Sequence, residues 1–403
     1  MAGIDNLAAK SYLWLTYCDE ARKIEKNDNN REYMMKIHLK AKVALCFSLV
    51  FSSLILLTAC GEKQPSTSTA QAEPAKTYKW KMVTSWPKNF PGLGMAPEKF
   101  AQQVNEMSDG RLTVQVYGAG ELVPGFEVFD AVSQGTVQMG HSGAYYWKGK
   151  IPASVLFGAI PFGMTATELN AWLHYGGGLE LWQELYKPFG IIPMAGGNTG
   201  AQFAGWFKKE INSMTDLQGL KMRIPGLAGE VLQRAGAVPV TLTGGEIFSS
   251  LQSGAIDATE WVGPYNDLAF GFYQVAEYYY SSVWHEPGTG LEFLINEKAF
   301  NELPKDLQKI VEVAARAVNE STLDEYNARN NAALKTLVEK HNVKLRTLPE
   351  PVLAELKKIT AEVVAEQAEK DAGFAKVWQS YSGFLSSINE FHGLTVKEYY
   401  QNR

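Results

Sequence analysis

One arginine and several oxygen-bearing side chains of the chain are of types that could bind a carboxylate or a hard cation. Arg223 lies in a short apolar segment, residues 220–224, which predicts a strand before a Pro-Gly turn. Its planar guanidinium can pair with a carboxylate through two parallel hydrogen bonds, which a lysine cannot do. Arg223 could equally be a surface strand residue paired with an acid on the neighbouring strand, and the segment alone does not choose between these interpretations.

Oxygen donors for a cation are present in other segments of the chain. Glu260 comes just after a predicted strand, at the end where open α/β sheets bind their ligands. Glu286 and Gln202 lie in two segments where the chain is predicted to cross between lobes. Two carboxylates, an amide oxygen and a carbonyl suit Na⁺ or Ca²⁺ and do not suit zinc. The Trp261 side chain could wall an apolar pocket or be an ordinary packing aromatic.

The same residues allow an enzyme as an alternative. Glu260 and Glu286 could be the acid and base of a secreted Glu-dependent hydrolase resembling a glycosidase. His285 is predicted to be a packing residue, because no second His or Cys lies near it in the sequence. The sequence has no glycine-rich phosphate loop, no nucleophile elbow and no His-Glu-x-x-His motif, which argues against the common enzyme classes.

The composition is that of an ordinary globular protein with enough residues for two or three domains. The chain has 403 residues, of which 46% are hydrophobic and 20% charged, and its formal net charge is -5. It has 38 Lys and Arg against 43 Asp and Glu. Because the basic surplus that drives binding to phosphate backbones is missing, no nucleic-acid partner is predicted.

The N-terminal region predicts export from the cytoplasm. Residues 35–59 combine a basic stretch with an uncharged apolar run and end in small residues, which is the pattern of a secretory signal peptide. Cys60 follows directly, as in the lipobox of bacterial lipoproteins, so we expect lipid attachment there and a flexible tether over residues 60–76. Residues 1–34 are interpreted as an over-extended start. The predicted location is the periplasm, with the membrane reached only through the lipid; a single uncleaved membrane helix is the alternative.

Two similar α/β lobes are predicted to position the candidate site residues. An order of strand, helix, strand, helix, strand over residues 78–140 returns over residues 220–258, although two independent units that obey the same rules would look alike. Residues 197–207 and 283–296 are predicted to be hinge strands that cross between the lobes, and the cleft between two lobes is a common ligand site. The predicted domains are lobe I at 77–197, the hinge and lobe II at 198–290, and a returning strand with packing or dimerisation helices at 291–403.

The sequence resembles the solute-binding proteins of tripartite ATP-independent periplasmic (TRAP) transporters from about residue 78 to at least residue 318. The matching sequences are LQGLKMR at 217–223, EIFSSLQSGAIDA at 246–258, EW at 260–261, GAQ at 200–202 and WHEPG at 284–288. The first two are highly specific for the family. The other three resemble the subgroup that binds 2-oxo monocarboxylates such as pyruvate.

This resemblance implies an α/β, two-lobed periplasmic binding protein fold with repeated βαβαβ units, crossing hinge strands and a helical C-terminal region. It implies that Arg223 pairs with the carboxylate of the substrate, with Trp261 beside it, and that Gln202 contacts both substrate and cation. Glu260, the Trp261 carbonyl and Glu286 would complete the site of a bridging Na⁺ or Ca²⁺.

The function implied by the resemblance is capture and delivery of a solute, without catalysis. The loaded protein would dock on TRAP membrane permease subunits, and the helical tail permits a homodimer. Tyr145, Tyr146 and Trp147 are candidates for the walls that limit the length of the substrate's tail. The alternatives are a binding protein for a different organic acid, the secreted hydrolase, and a sensor ectodomain that feeds a signalling partner.

Overall fold

The computed structural model describes residues 76–403. The expectations for the over-extended start, the signal peptide and Cys60 therefore concern residues outside the described part of the chain. Within residues 76–403, no helix is both long and apolar enough to cross a membrane. The described residues form two β-sheets with helices packed on them.

Strands and helices alternate along most of this part of the chain. The strands are β1 (Tyr78–Thr84), β2 (Leu112–Tyr117), β3 (Met139–Ser142), β4 (Ile191–Asn198), β5 (Gly205–Phe207), β6 (Lys221–Arg223), β7 (Val238–Val240), β8 (Ala258–Thr259), β9 (Tyr278–Tyr280), β10 (Gly290–Asn296) and β11 (Lys344–Arg346). The helices are α1 (Met95–Met107), α2 (Val128–Ser133), α3 (Ala166–Tyr175), α4 (Gly178–Tyr186), α5 (Gly226–Arg234), α6 (Gly244–Ser253), α7 (Pro264–Phe270), α8 (Glu297–Asn301), α9 (Lys305–His341), α10 (Glu350–Lys370), α11 (Ala372–Leu394) and α12 (Val396–Asn402).

The two sheets divide the described residues into two lobes. The first sheet has the strand order β2-β1-β3-β10-β4, and the second has the order β11-β9-β5-β8-β6-β7. In the first sheet, β1 pairs in parallel with β2 and β3, while β10 runs antiparallel to β3 and β4. In the second sheet, β6 pairs in parallel with β7 and β8, while β5 runs antiparallel to β8 and β9. Lobe I is the first sheet with its helices, and lobe II is the second.

The chain passes between the two sheets three times within the described residues. β4 ends in lobe I at Asn198 and β5 begins in lobe II at Gly205. β9 ends in lobe II at Tyr280 and β10 begins in lobe I at Gly290. Both passages overlap the segments predicted to be hinge strands, but residues 199–204 and 281–289, which make the crossings, form no strand. The third passage is α9, a helix of 37 residues that packs on β4 and α7 and leads to β11 at the edge of lobe II. Its sequence predicts packing or dimerisation structure and does not reveal this passage.

Strand alternation and helical spacing explain how lobe I packs. Trp80 and Met82 alternate along β1 and are buried, and Phe100 and Val104, four residues apart, lie on one face of α1. These four side chains belong to one apolar cluster, in which the Phe100 ring lies 4.4 Å from the ring of Phe293 on β10. Burying one such side chain stabilises the fold by about 1.5–3 kcal/mol, so these contacts fix α1 on the sheet.

Part of the family-like sequence at residues 246–258 has a structural role. Thr243 and Glu246 form a capping box at the start of α6, in which the Thr243 amide donates to Glu246 Oε2 at 2.9 Å. Gly254 ends the helix in the left-handed region, with a φ of 79°, which a residue with a Cβ rarely adopts. The chain then enters β8, so this helix determines where the strand that leads to Glu260 begins.

A carboxyl group, Glu292 on β10, is buried in the interior of lobe I. Its side chain accepts a hydrogen bond from the indole N–H of Trp147. Burial raises the pKa of Glu292 from 4.5 to about 8, and the Trp147 bond opposes only part of this rise. The folded protein therefore holds a proton that the unfolded chain releases above its ordinary carboxyl pKa. The stability that this proton confers is lost as the pH rises from 4.5 to about 8. The loss is up to about 1.4 kcal/mol of unfolding free energy per pH unit.

We expect Glu292→Gln to remove this pH dependence, because an amide has no proton to release in this range. From about pH 5 to pH 8 the variant should gain roughly 3 kcal/mol of unfolding free energy relative to the parent. Urea denaturation of both proteins across this pH range measures the difference. The same substitution at the exposed Glu302 of lobe I is the control and should leave the parent's slope unchanged. Parallel stability curves for Glu292→Gln and the parent would contradict a buried neutral carboxyl.

Candidate functional site

Two neighbouring parallel strands of lobe II bring Arg223 and Glu260 together. Arg223 is the last residue of β6, and Glu260 directly follows β8. The strands pair with Arg223 opposite Thr259, and the Glu260 amide donates to the Arg223 carbonyl at 3.2 Å. Since parallel strands end at the same edge of a sheet, both side chains lie at the cleft that separates the lobes.

The Arg223 side chain is buried, with 2% of its area exposed. Its Nη1 forms an ion pair with Glu260 Oε1, and its Nε donates to the Leu242 carbonyl at 3.2 Å. Its Nη2 donates to the hydroxyl of Tyr146, which belongs to lobe I, at 3.2 Å. The guanidinium carbon lies 5.0 Å from the ring centre of Trp261. The interpretation of Arg223 as a surface residue is therefore wrong, because the cleft encloses the side chain, whereas its pairing with an acid beside the neighbouring strand agrees with that interpretation.

Arg223 and Glu260 depend on each other electrostatically. Burial lowers the pKa of Arg223, but the negative charge of Glu260 leads the interactions that raise it above its ordinary value, so the guanidinium stays protonated. Taking two charges out of water is costly, and their attraction repays that cost only while both are present. Removing one member of such a pair lowers the unfolding free energy by about 3–5 kcal/mol, because the other charge is left buried without a partner.

Hydrogen bonds tie the two hinge segments together. The Gln202 backbone amide donates to the Glu286 carbonyl at 3.0 Å. Gln202 Nε2 donates to the hydroxyl of Thr199 at 2.8 Å and to that of Thr289 at 3.0 Å. The Thr289 hydroxyl in turn donates to Glu286 Oε2 at 2.6 Å. Neither threonine is predicted as a site residue from the sequence; their places in the two predicted hinge segments are the signal that could have identified them.

A second buried carboxylate, Glu286, lies beside Glu260. Their oxygens and a ring nitrogen of His285 all lie within 4.8 Å of one another. Burial raises the pKa of Glu286 to about 7, and the charge of Glu260 adds to the rise, while His285 opposes it. His285 Nε2 lies 3.7 Å from Glu260 Oε2. The sequence predicts a packing role for His285, and its position beside the two carboxylates was missed.

The groups around Glu260 fit a hard cation. Glu260 and Glu286 supply carboxylate oxygens, and the buried Gln202 Oε1 has no hydrogen-bond partner within residues 76–403. Trp261 follows Glu260 in the chain, so its carbonyl belongs to the same segment. Oxygen donors of this kind are those that Na⁺ and Ca²⁺ prefer. Two buried carboxylates also repel each other, and a cation between them offsets that repulsion.

A cavity of about 10 Å³ lies between the lobes beside Arg223. It is lined by Trp86, Leu93, Tyr145, Tyr146, Thr199, Gln202, Arg223, Glu260, Trp261, Val262 and Leu291. Of the three candidate wall residues, Tyr145 and Tyr146 line the cavity, whereas Trp147 does not and its indole bonds to Glu292. A wider groove of about 810 Å³ between α4, β4 and α9 contains none of the predicted site residues.

Comparison with known proteins agrees with this fold. The model of the bacterial extracellular solute-binding proteins of family 7, DctP, matches residues 82–371. The chain belongs to this family. The family supplies solute receptors of TRAP transporters, so the two-lobed fold and the receptor function implied by the resemblance are confirmed.

Several relatives of this receptor are similar over most of its length. A monocarboxylate 2-oxoacid-binding periplasmic protein from Nostoc sp. is 42% identical, over 87% of this chain and 95% of that protein. A TRAP solute-binding protein from Pseudoalteromonas atlantica, solved with bound sodium and pyruvate, is 44% identical, with a TM-score of 0.80 over 81% of this chain and 100% of that one. One from Colwellia psychrerythraea, solved with bound calcium and pyruvate, is also 44% identical, with a TM-score of 0.79 over the same shares of 81% and 100%.

Proposed function

We propose that this receptor captures a small 2-oxo or 2-hydroxy monocarboxylate, such as pyruvate, together with Na⁺ or Ca²⁺. The observation that carries the proposal is the buried Arg223 in one cavity with Glu260 and Gln202, next to Glu286. The acid's carboxylate satisfies the arginine, and a cation satisfies the two glutamates. Relatives with 44% identity that hold pyruvate with sodium or with calcium support the same pairing of ligands.

Binding of the acid requires Arg223 to change partners. Glu260 occupies its Nη1, and a cavity of about 10 Å³ has room for roughly one water molecule. The carboxylate of the acid therefore takes the place of Glu260, in a charge-assisted pair that is strong when shielded from water. Glu260 is then left beside Glu286 and needs a positive charge, which the cation supplies. Acid and cation are accordingly expected to bind more tightly together than separately.

The charges of the cavity favour a monocarboxylate. Arg223 is the one cationic side chain among the described residues that line it. The second carboxylate of a dicarboxylic acid would be buried without a partner, which is costly. A 2-oxo or 2-hydroxyl oxygen gives the cation one more ligand, so an acid that lacks this oxygen should bind more weakly.

Calorimetry with a form that lacks residues 1–60 tests this proposal. Pyruvate, 2-oxobutyrate, lactate, propionate and succinate are titrated with Na⁺, with Ca²⁺, and in chelator with potassium as the added cation. We expect a 2-oxo or 2-hydroxy monocarboxylate to bind at a ratio of about one per chain. Its affinity without Na⁺ and Ca²⁺ should be at least about tenfold lower than with either cation. Failure of every acid to bind would refute the proposal, and turnover of a bound acid or of a glycoside would favour an enzyme.

Delivery to a membrane permease, a lipid on Cys60 and a homodimer complete the proposal. Family membership supports a TRAP permease as partner. A relative from Bordetella bronchiseptica was solved as a dimer. It is 35% identical to this chain, with a TM-score of 0.80 over 81% of this chain and 97% of that one. Exposed apolar side chains near the C-terminus also support self-association: Phe391, Leu394, Tyr399 and Tyr400. Mass spectrometry of the exported full chain tests the lipid, and sedimentation of the lipid-free form tests the dimer.

A further inference from the structure

An indole from lobe I forms part of the apolar end of the ligand cavity. Trp86 follows β1, is 1% exposed, and lines the cavity with Leu93 and Leu291 of the same lobe. Trp261 lines it from lobe II. In the proposed function, the acid's carboxylate and the cation take up the polar lining of the cavity. The substituent on carbon 2 of the acid, its tail, therefore meets these apolar side chains.

Two hydrogen bonds in series hold the Trp86 ring in place. Its Nε1 donates to Nδ1 of His141 at 2.8 Å. Because Nδ1 accepts, the proton of the neutral imidazole is on Nε2, which donates to the Gly196 carbonyl at 2.9 Å. Burial lowers the pKa of His141 to about 4, so the ring is neutral at neutral pH and this arrangement persists.

The backbone that carries this pair is closely packed. His141 lies on β3 and Gly196 on β4, and both strands pair with β10. A Cβ atom at Gly196 would lie 2.8 Å from the amide nitrogen of Phe293 on β10, so the two strands approach closely there. The ring centres of His141 and Phe293 are 4.8 Å apart. The Trp86 indole is therefore a fixed wall of lobe I.

The opposite wall belongs to the other lobe. The Trp86 and Trp261 rings meet edge to face, with 6.1 Å between their centroids. Trp261 directly follows Glu260, on the segment that also holds the ion pair with Arg223. The contact of Trp261 with Trp86 therefore involves the same segment of lobe II that pairs with Arg223, so this approach accompanies any closure of the lobes around the acid of the proposed function. A tail too large for the space between the two indoles prevents this approach.

We propose that Trp86, positioned by His141, sets the upper limit on the length of the acid's tail. The inference rests on the proposed function, because it assumes that the acid's carboxylate lies on Arg223. Short-tailed acids such as pyruvate allow the two indoles to meet. Longer 2-oxo acids hold the lobes apart and bind weakly for that reason.

The ratio of the affinities for pyruvate and for 2-oxohexanoate, measured by calorimetry in the same cation, tests this inference. In Trp86→Leu we expect pyruvate to bind about tenfold more weakly and 2-oxohexanoate about tenfold more tightly, so that the ratio changes by about a hundredfold. Trp86→Phe keeps a smaller aromatic ring and should change the ratio in the same direction by less. Trp182→Leu removes a buried indole of lobe I that does not line the cavity, and the parent's ratio should be retained.

Substitutions of His141 distinguish positioning of Trp86 from a contribution to stability alone. His141→Gln keeps an acceptor for the indole N–H and a donor for the Gly196 carbonyl, so it should keep the parent's ratio. His141→Leu removes both and should move the ratio towards that of Trp86→Leu. The parent's ratio in both Trp86 variants and in His141→Leu would overturn the inference. Failure of the parent itself to bind any 2-oxo acid would instead overturn the proposed function.

Discussion

Arg223→Lys is expected to weaken binding of the acid by at least about a hundredfold while the receptor stays folded. Lysine keeps a positive charge for Glu260, but it cannot present two parallel donors to a carboxylate. It also cannot reproduce the hydrogen bonds that Arg223 makes to the Leu242 carbonyl and the Tyr146 hydroxyl. Hydrogen bonds of charged groups contribute about 1.5–3 kcal/mol each, so the loss of the two parallel bonds to the acid's carboxylate gives this magnitude. Calorimetry with pyruvate in a fixed cation measures it.

Removing the charge at this position should also lower the stability of the fold. Arg223→Met leaves Glu260 buried beside Glu286 without its arginine, which is expected to cost about 3–5 kcal/mol of unfolding free energy in urea denaturation. Combining Arg223→Met with Glu260→Gln should recover much of this stability and still not restore binding. If Arg223→Lys bound pyruvate as tightly as the parent, the carboxylate would have to be held by another group.

The residue types of the site were predictable from the sequence, but their mutual contacts were not. A guanidinium suits a carboxylate and glutamates suit a cation, so chemistry and position make Arg223, Glu260 and Glu286 candidates, and the family resemblance selects them as one site. The ion pair that joins Arg223 to Glu260 connects positions 37 residues apart. That contact depends on β6 and β8 being neighbours in the sheet, which the order of elements along the chain does not determine.

Contacts between distant segments explain the other omissions. His141 bonds to Trp86 from 55 residues away, and Thr289 accepts from Gln202 across 87 residues. Such side-chain bonds arise where distant segments approach in three dimensions, and the spacing of apolar residues carries no information about that approach. For the same reason α9 is predictable as a helix while its passage between the sheets is not. An apolar stripe indicates that a helix face is buried, without indicating which lobe covers it.

Glu260→Gln should make binding of the acid independent of Na⁺ and Ca²⁺, and weaken it about a hundredfold when Ca²⁺ is present. Glu260 is one of two carboxylates in the cluster, and affinity for Ca²⁺ depends on the charge of its ligands. In the variant Arg223 has lost its anionic partner, so the acid no longer has to displace Glu260. The affinity that remains comes from Arg223 without help from a cation. Calorimetry with pyruvate in Ca²⁺ and in chelator should therefore give nearly equal affinities.

Glu286→Gln is the matched change at the second carboxylate. Glu286 accepts a hydrogen bond from Thr289, whereas Glu260 forms the ion pair with Arg223. The variant should therefore keep the exchange of partners at Arg223 and part of the cation dependence. Its loss of affinity should be larger with Ca²⁺ than with Na⁺, because a neutral amide removes charge that a divalent ion needs more. Full cation dependence in Glu260→Gln would mean that the cation does not bind between these glutamates. The coupling between the cation and the acid on Arg223 would then have to arise from other residues.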